Sequence, residues 1–169
     1  MIYKSNKDYP KILDIEPNFN YAKILMESYA GRVSEDTAIH LYLYQSLSSE
    51  DVWEEYSKIM LKISEVEMIH FRLLGSAIVK LGGLPVIGSI GKDKIMRLWS
   101  SDYVNYELTL KEMLEIDIEA ESNAIKDYEH ILTLIKDPNI IKLIERILED
   151  ERIHLAIFKQ LYQQYFSSL

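Results

Sequence analysis

Apolar side chains recur at intervals of three to four residues along four long stretches of this chain, and glycine or proline interrupts the pattern between them. A period near 3.6 residues is typical of amphipathic helices, so the pattern predicts four of them. Gly82 and Gly83 mark the end of the second helix, Pro138 suits the first turn of the fourth, and Gly31 marks an irregularity in the first. The predicted helices span 20–47, 50–81, 103–136 and 138–166.

The lengths of the connections predict how these helices pair. Short loops near 48–50 and 137–139 favour antiparallel pairing of helix one with helix two and of helix three with helix four. The connection over 82–102 is long, so the expected fold class is all-α, an antiparallel four-helix bundle with a long crossover between helices two and three. A chain of 169 residues fits one domain, with an N-terminal arm over 1–19 and the bundle over 20–166.

Composition narrows the range of functions. The chain has no cysteine, which excludes disulfides, thiolate zinc sites, iron–sulfur clusters and cysteine nucleophiles. Its net charge of −8 argues against binding to nucleic acid or to an anionic membrane surface. No apolar run reaches the roughly 18 residues of a membrane helix. The first residues lack the apolar stretch of a signal peptide, so a cytoplasmic location is expected.

A short pattern occurs twice and indicates that the two helical hairpins are copies of one unit. Glu-x-x-Ala-Ile-x-x-Tyr begins at Glu35 in helix one and again at Glu121 in helix three, 86 positions later. Glu-x-Glu-x-Ile-His begins at Glu65 in helix two and again at Glu149 in helix four, 84 positions later. The two offsets nearly agree, and matches of this length at a shared offset are rare by chance.

The repeated residues have the composition of a two-metal site. Side chains at positions i and i+3 of a helix lie side by side, so each Glu-x-x-His pair can present an oxygen and a nitrogen to one ion. One glutamate from each of the other two helices completes a set of four carboxylates and two imidazoles, which suits two divalent ions of iron or manganese. Two such ions also balance the charge of four buried glutamates. The predicted metal ligands are Glu35, Glu67, His70, Glu121, Glu151 and His154.

Two tyrosines and one aspartate are candidates for supporting this site. Tyr42 and Tyr128 each lie two helical turns after a predicted ligand, so they either pack in the core or place a hydroxyl beside the metals. Asp150 precedes a predicted ligand and could hold the free N–H of a ligand histidine. The repeat counterpart of Asp150 is Val66, so that position can support at most one histidine.

Other polar residues lie farther from the predicted ligands along the helices. Asp117 stands one turn before a predicted ligand and is a further candidate for contacts around the metals. His40 and His130 fall on other faces of their helices, so we interpret both as surface or packing residues and not as ligands.

These motifs resemble the ferritin-like superfamily over nearly the whole chain, from about residue 20 to residue 165. Within that superfamily, segments 17–23 and 29–35 are similar to rubrerythrin-type proteins and to the manganese catalase-like spore-coat group. The resemblance implies a ferritin-like bundle with two iron ions, or two manganese ions, as cofactors, held by the six residues named above. Full rubrerythrins also carry a cysteine-ligated rubredoxin domain, so a cysteine-free chain would need a separate electron donor protein.

The expected function is therefore that of a di-metal oxidoreductase that reacts with hydrogen peroxide or dioxygen. Peroxidase, ferroxidase and catalase-like chemistry all fit, in oxidative-stress defence or iron oxidation. Two alternatives stay open, namely a subunit of an iron-storage cage and a non-enzymatic coat component that keeps the metal site as a structural staple. A homodimer or a larger homo-oligomer is expected, and the N-terminal arm could dock such a partner.

Overall fold

The protein, described by a computed structural model over residues 2–11, 15–91 and 93–166, consists of five helices and a small two-stranded sheet. Parts of the predicted arm, one residue of the crossover and the last three residues of the predicted domain lie outside the described residues. The elements are α1 (Phe19–Ala30), α2 (Glu35–Ser49), α3 (Glu54–Lys80), β1 (Gly88–Ile90), β2 (Met96–Leu98), a short 3-10 turn (Ser101–Tyr103), α4 (Leu110–Leu134) and α5 (Pro138–Phe166).

The first predicted helix is in fact two helices, because the chain leaves the helical path at 31–34. Gly31 has an extended backbone, and a Cβ at this position would lie 2.4 Å from a carboxylate oxygen of Glu27. Ser34 then caps α2, since its hydroxyl accepts from the Thr37 amide. The prediction of a single helix over 20–47 was therefore wrong, and the break places Glu35 in the first turn of α2.

The other predicted helices differ from the structure mainly where they begin. Helix three begins at Leu110 and not at residue 103, because the Thr109 side chain caps α4 by accepting from the Glu112 amide. Helix two begins at Glu54, four residues later than predicted. The predicted range of helix four, 138–166, is confirmed by α5.

The four long helices form two hairpins, as predicted: α2 packs along α3, and α4 packs along α5. The apolar core consists of two clusters, one around α1 and one around α2. Along α3, the α1-side cluster uses Leu74 to Leu81 and the α2-side cluster uses Tyr56 to Ile63. Glu67 and His70 lie between these stretches. Along α5 the two clusters follow in the reverse order, with Glu151 and His154 between them, so a buried polar layer separates the two apolar clusters.

The long crossover contains the two strands. Strands β1 and β2 pair antiparallel, with Gly88 opposite Leu98, and β1 lies against α1. A Cβ on Gly88 would come within 2.3 Å of the Arg97 carbonyl oxygen, so this pairing requires glycine. Among the residues that the structure describes, none of the helices combines the length and the hydropathy that a membrane span requires.

Candidate metal centre

The buried polar layer collects the six repeated side chains from four helices. Helix α2 contributes one glutamate, α4 contributes another, and α3 and α5 each contribute a glutamate and a histidine one turn later. None of the six is more than 4% exposed. They are Glu35, Glu67, His70, Glu121, Glu151 and His154.

Two glutamates lie at the centre of the group, between the histidine rings. Glu67 Oε2 is 2.9 Å from His70 Nδ1, and its Oε1 is 2.9 Å from His154 Nδ1. Glu151 Oε1 is 3.0 Å from His70 Nδ1, and its Oε2 is 4.0 Å from His154 Nδ1. Each of these two carboxylates therefore faces both histidines, which is the position of a bridging ligand between two ions.

The remaining two glutamates lie at opposite ends of the group. Glu35 Oε2 is 3.5 Å from His70 Nδ1, whereas Glu121 Oε1 is 3.7 Å from His154 Nδ1. The donor atoms form two groups of four, and within each group all of them lie within 4.8 Å of one another. Both groups contain Glu67 and Glu151, one adds Glu35 with His70, and the other adds Glu121 with His154.

The same side of each imidazole faces this centre. His154 Nε2 lies 2.9 Å from the Tyr3 carbonyl oxygen, which can only accept a hydrogen bond, so Nε2 carries a proton and Nδ1 is the nitrogen that faces the glutamates. His70 Nε2 lies 3.0 Å from Asp150 Oδ2. Asp150 thus contacts the histidine of the opposite hairpin, not the one on its own helix.

The two tyrosines contact the glutamates of the opposite hairpin as well. Tyr42 on α2 donates its hydroxyl hydrogen bond to Glu121 Oε1 on α4, at 2.5 Å. Tyr128 on α4 donates to Glu35 Oε1 on α2. Both rings are buried in the apolar clusters, so each tyrosine packs in the core and also touches a candidate ligand.

The protein alone does not provide enough hydrogen bonds and opposite charges for the six buried side chains. Burial raises the pKa of Glu35 and of Glu151 to about 8, with the neighbouring Glu67 carboxylate acting in the same direction and His70 in the opposite one. Burial opposes ionisation of Glu67 too, but the two histidines beside it hold its pKa well below the ordinary value. Among the described residues, the histidine contacts of Glu67 Oε1 at 2.9 Å and of Glu151 Oε1 at 3.0 Å do not have the geometry of hydrogen bonds, and no other partner reaches these atoms. The atoms left without a hydrogen bond are Glu67 Oε1, Glu121 Oε2, Glu151 Oε1 and His154 Nδ1.

These unpartnered atoms fit divalent cations. An unpaired buried polar atom is costly, and oxygen and imidazole donors that converge within coordination range are what an iron or manganese ion requires. Four glutamates and two neutral histidines carry four negative charges, which two divalent ions balance. Without the ions, the raised pKa values of the glutamates mean that some of these carboxylates bind protons, which neutralise part of the negative charge.

A cavity of about 210 Å³ leads to the centre from the side on which Glu35 and Glu121 lie. It runs between the α1–α2 break and α4, and both tyrosines and three of the four glutamates line it. Exposed residues such as Arg32, Asn105 and Glu119 also line it, so it reaches the surface. A cavity of this size admits small solutes to the carboxylate side of the centre.

The other residues singled out in the sequence lie elsewhere. Asp117 is fully buried but accepts from Tyr56 at 2.8 Å and does not contact the histidines. His40 bonds the Asp36 carbonyl oxygen and stacks near Trp99, outside the centre. His130 is exposed on α4.

The contacts that sequence reasoning missed come from the N-terminal arm. The Tyr3 carbonyl reaches His154, and the Tyr9 hydroxyl donates to Asp150 at 2.7 Å. A backbone carbonyl leaves no residue-type signal, and these partners lie more than 140 positions away in the sequence, so no local pattern could have indicated them.

Comparisons with known proteins agree with this architecture. The profile of the family described as Rubrerythrin matches residues 23–162. A bacterioferritin from Desulfovibrio desulfuricans is 28% identical over 144 residues, covering 83% of this chain and 74% of the relative. A probable manganese catalase from Clostridium acetobutylicum is 24% identical over 160 residues, covering 85% of this chain and 70% of the relative.

Solved structures extend the likeness to the fold. The manganese catalase KatB from Anabaena matches with a TM-score of 0.84 at 20% identity, covering 98% of this chain and 81% of that chain. The Desulfovibrio desulfuricans bacterioferritin, whose structure contains a diiron site, matches with a TM-score of 0.73 at 26% identity, covering 88% of this chain and 82% of that chain. These matches confirm the ferritin-like four-helix fold.

Proposed function

The chain belongs to the Rubrerythrin family, and on that premise we propose that it is a di-metal oxidoreductase that reacts with hydrogen peroxide or dioxygen. The observation that carries the proposal is the pair of four-residue donor groups that share two glutamates. The proposed ligands are Glu35, Glu67, His70, Glu121, Glu151 and His154. The ions are two iron or two manganese ions, in line with the diiron bacterioferritin and the manganese catalases that this chain resembles.

The ligands and the two tyrosines would have different roles in such a centre. Glu67 and Glu151 face both histidines, so they would bridge the two ions and fix the distance between them. Glu35 and Glu121 would each bind one ion, and the tyrosine hydroxyls orient these two carboxylates. Two adjacent redox ions supply or accept two electrons together, which suits the reduction or disproportionation of peroxide.

The surrounding protein controls access. The histidine rings are completely buried, whereas the cavity reaches the carboxylate side, so a small oxidant would approach between Tyr42 and Tyr128. Disproportionation of hydrogen peroxide needs no further reductant. A peroxidase cycle consumes two electrons per peroxide, and in that case we propose that a separate donor protein supplies them. We also propose that the chain acts as a homodimer or a larger homo-oligomer in the cytoplasm.

Iron oxidation for storage is the second candidate function, and the likeness to a bacterioferritin favours it. The two functions differ in what happens after the first turnover. A storage subunit assembles into a shell and accumulates many iron ions per chain, whereas a peroxide-consuming enzyme retains two ions per chain.

The test is metal loading followed by turnover. The native protein is purified, its iron and manganese are counted by mass spectrometry, and the metal-free protein is reloaded with Fe²⁺ or Mn²⁺. We expect two ions per chain and peroxide loss that depends on them. Glu151→Gln is expected to lose the metals and the activity, while Glu145→Gln, an exposed change on the same helix, is the matched control. A correctly folded wild type that binds fewer than two ions per chain would refute the proposal.

A further inference from the structure

The N-terminal segment of residues 3–9, here called the strap, lies across the histidine side of the centre, opposite the cavity. Its Tyr3 carbonyl oxygen is 2.9 Å from His154 Nε2. Its Tyr9 hydroxyl donates to Asp150 Oδ2 at 2.7 Å, and Asp150 Oδ2 in turn lies 3.0 Å from His70 Nε2. One short segment therefore touches the outer nitrogen of one histidine and the residue that contacts the other.

The duplicated sequence explains why one histidine needs the strap. Asp150 on α5 contacts His70 of the other hairpin, and the equivalent position on α3 is Val66. By the repeat, residue 66 would contact His154, but a valine side chain has no acceptor. The Tyr3 carbonyl occupies this role, and Val66 lies beside the strap in the same surface groove. The strap thus gives His154 the hydrogen-bond acceptor that His70 obtains from Asp150.

The strap also holds that aspartate in place. The Ser5 amide donates to Asp150 Oδ1 at 2.6 Å, and Arg146 Nη1 lies 2.6 Å from the same oxygen. Arg146 further donates to the Ser5 and Lys7 carbonyls, and its guanidinium stacks 4.2 Å from the Tyr9 ring centre. Asp150 is completely buried, so these contacts restrict its carboxylate to the orientation that faces His70.

We propose that the strap is a positioning element of the metal centre, which directs Nδ1 of both histidines toward the ions and thereby raises metal affinity. This inference rests on the proposed metal binding by the six donors. Loss of an outer hydrogen-bond partner of a ligand histidine typically weakens metal binding by about 10–100-fold. By linkage, metal binding must also tighten the docking of the strap by the same factor.

The first test compares Mn²⁺ affinities, with free Mn²⁺ measured by electron paramagnetic resonance. Deletion of residues 2–9 is expected to weaken binding by roughly 10–100-fold. Adding Val66→Asp to the deletion supplies an acceptor at the equivalent position, so one of the two ions should recover its affinity. An equal affinity in wild type and in the folded deletion variant, or no recovery with Val66→Asp, overturns the inference.

A second test uses the full-length chain and does not depend on the folding of a deletion variant. Hydrogen exchange at the Ser5 amide is followed with and without saturating Mn²⁺, and exchange is expected to slow by the factor found for affinity. Tyr9→Phe is expected to weaken Mn²⁺ binding, while the control Tyr44→Phe, whose hydroxyl donates to the carbonyls of Tyr106 and Glu107, leaves it unchanged. Unchanged exchange at Ser5 overturns the inference.

The outcomes separate this inference from the proposed function. A wild type that fails to bind two Mn²⁺ or Fe²⁺ ions refutes the proposed function. A wild type that binds two ions with an affinity indifferent to the strap refutes only the role of the strap.

Discussion

Replacement of Asp117 by asparagine should make the protein more stable at neutral and alkaline pH. Asp117 is fully buried on α4, and its Oδ2 accepts from the Tyr56 hydroxyl at 2.8 Å. Its Oδ1 has no hydrogen-bond partner among the described residues. Burial raises the pKa of Asp117 from 3.8 to about 8, although hydrogen bonds from Gln45 and Tyr56 act in the opposite direction.

The sign and the size of the effect follow from this pKa. Between pH 3.8 and about 8 the folded protein keeps the proton of Asp117 while the unfolded chain releases it, so wild-type stability falls as the pH rises through this window. Each pH unit of the window corresponds to about 1.4 kcal/mol, which gives an upper limit of roughly 6 kcal/mol above pH 8. Asparagine carries no charge at any pH, so Asp117→Asn removes this loss.

The assay is urea unfolding of the metal-free wild type and variant at pH 5, 7 and 9. The free energy of unfolding of Asp117→Asn minus that of wild type should rise with pH up to about pH 8 and then level off. The difference isolates Asp117, because the glutamates of the metal centre titrate in both proteins. Glu119→Gln, an exposed change on the same helix, should show no such slope. A difference that is flat or falling between pH 5 and pH 8 would show that Asp117 is ionised in the folded protein.

Three further predictions concern the metal centre. Glu67→Gln should abolish binding of both ions, whereas Glu35→Gln should spare the ion beside His154. Counting the metal ions that each variant retains after dialysis distinguishes the two results, and equal losses would argue against a bridging role for Glu67. Tyr42→Phe removes the hydrogen bond to Glu121 and should weaken one of the two Mn²⁺ binding steps by roughly 10-fold. Competition with a chelator measures both steps, and two unchanged affinities would contradict this prediction. Because burial raises the pKa of Glu35 to about 8, Mn²⁺ binding at pH 7 should release protons and should weaken as the pH falls. A pH indicator in weak buffer detects the released protons, and binding without proton release would show that the glutamates are already ionised.

The sequence was sufficient to choose the six donors that the structure brings into two groups, although metal binding by them remains a prediction. The choice succeeded because helical spacing places residues i and i+3 together and because the repeat supplied the same pattern twice. The fold class followed from the same periodicity and from the loop lengths, since short connections leave adjacent helices little alternative to antiparallel packing.

The parts that were wrong or missed depend on contacts that have no local periodicity. The break at 31–34 arises from the Ser34 cap and from the space beside Gly31, and the apolar pattern continues across it. Thr109 ends the crossover in the same way, by capping α4. The pairing of Tyr42 with Glu121 depends on how two helices meet across the bundle, which spacing within one helix cannot reveal.

The exchange of contacts between the hairpins bears on how such a protein could have arisen. Neither hairpin can build half of the centre alone, because Tyr42, Tyr128 and the two central glutamates all complete their contacts on the other hairpin. Two identical hairpins meeting about a twofold axis would satisfy the same contacts. An ancestral homodimer of such hairpins, later joined into one gene, would therefore already have held both donor groups, and Val66 opposite Asp150 would then mark a position where the two copies diverged.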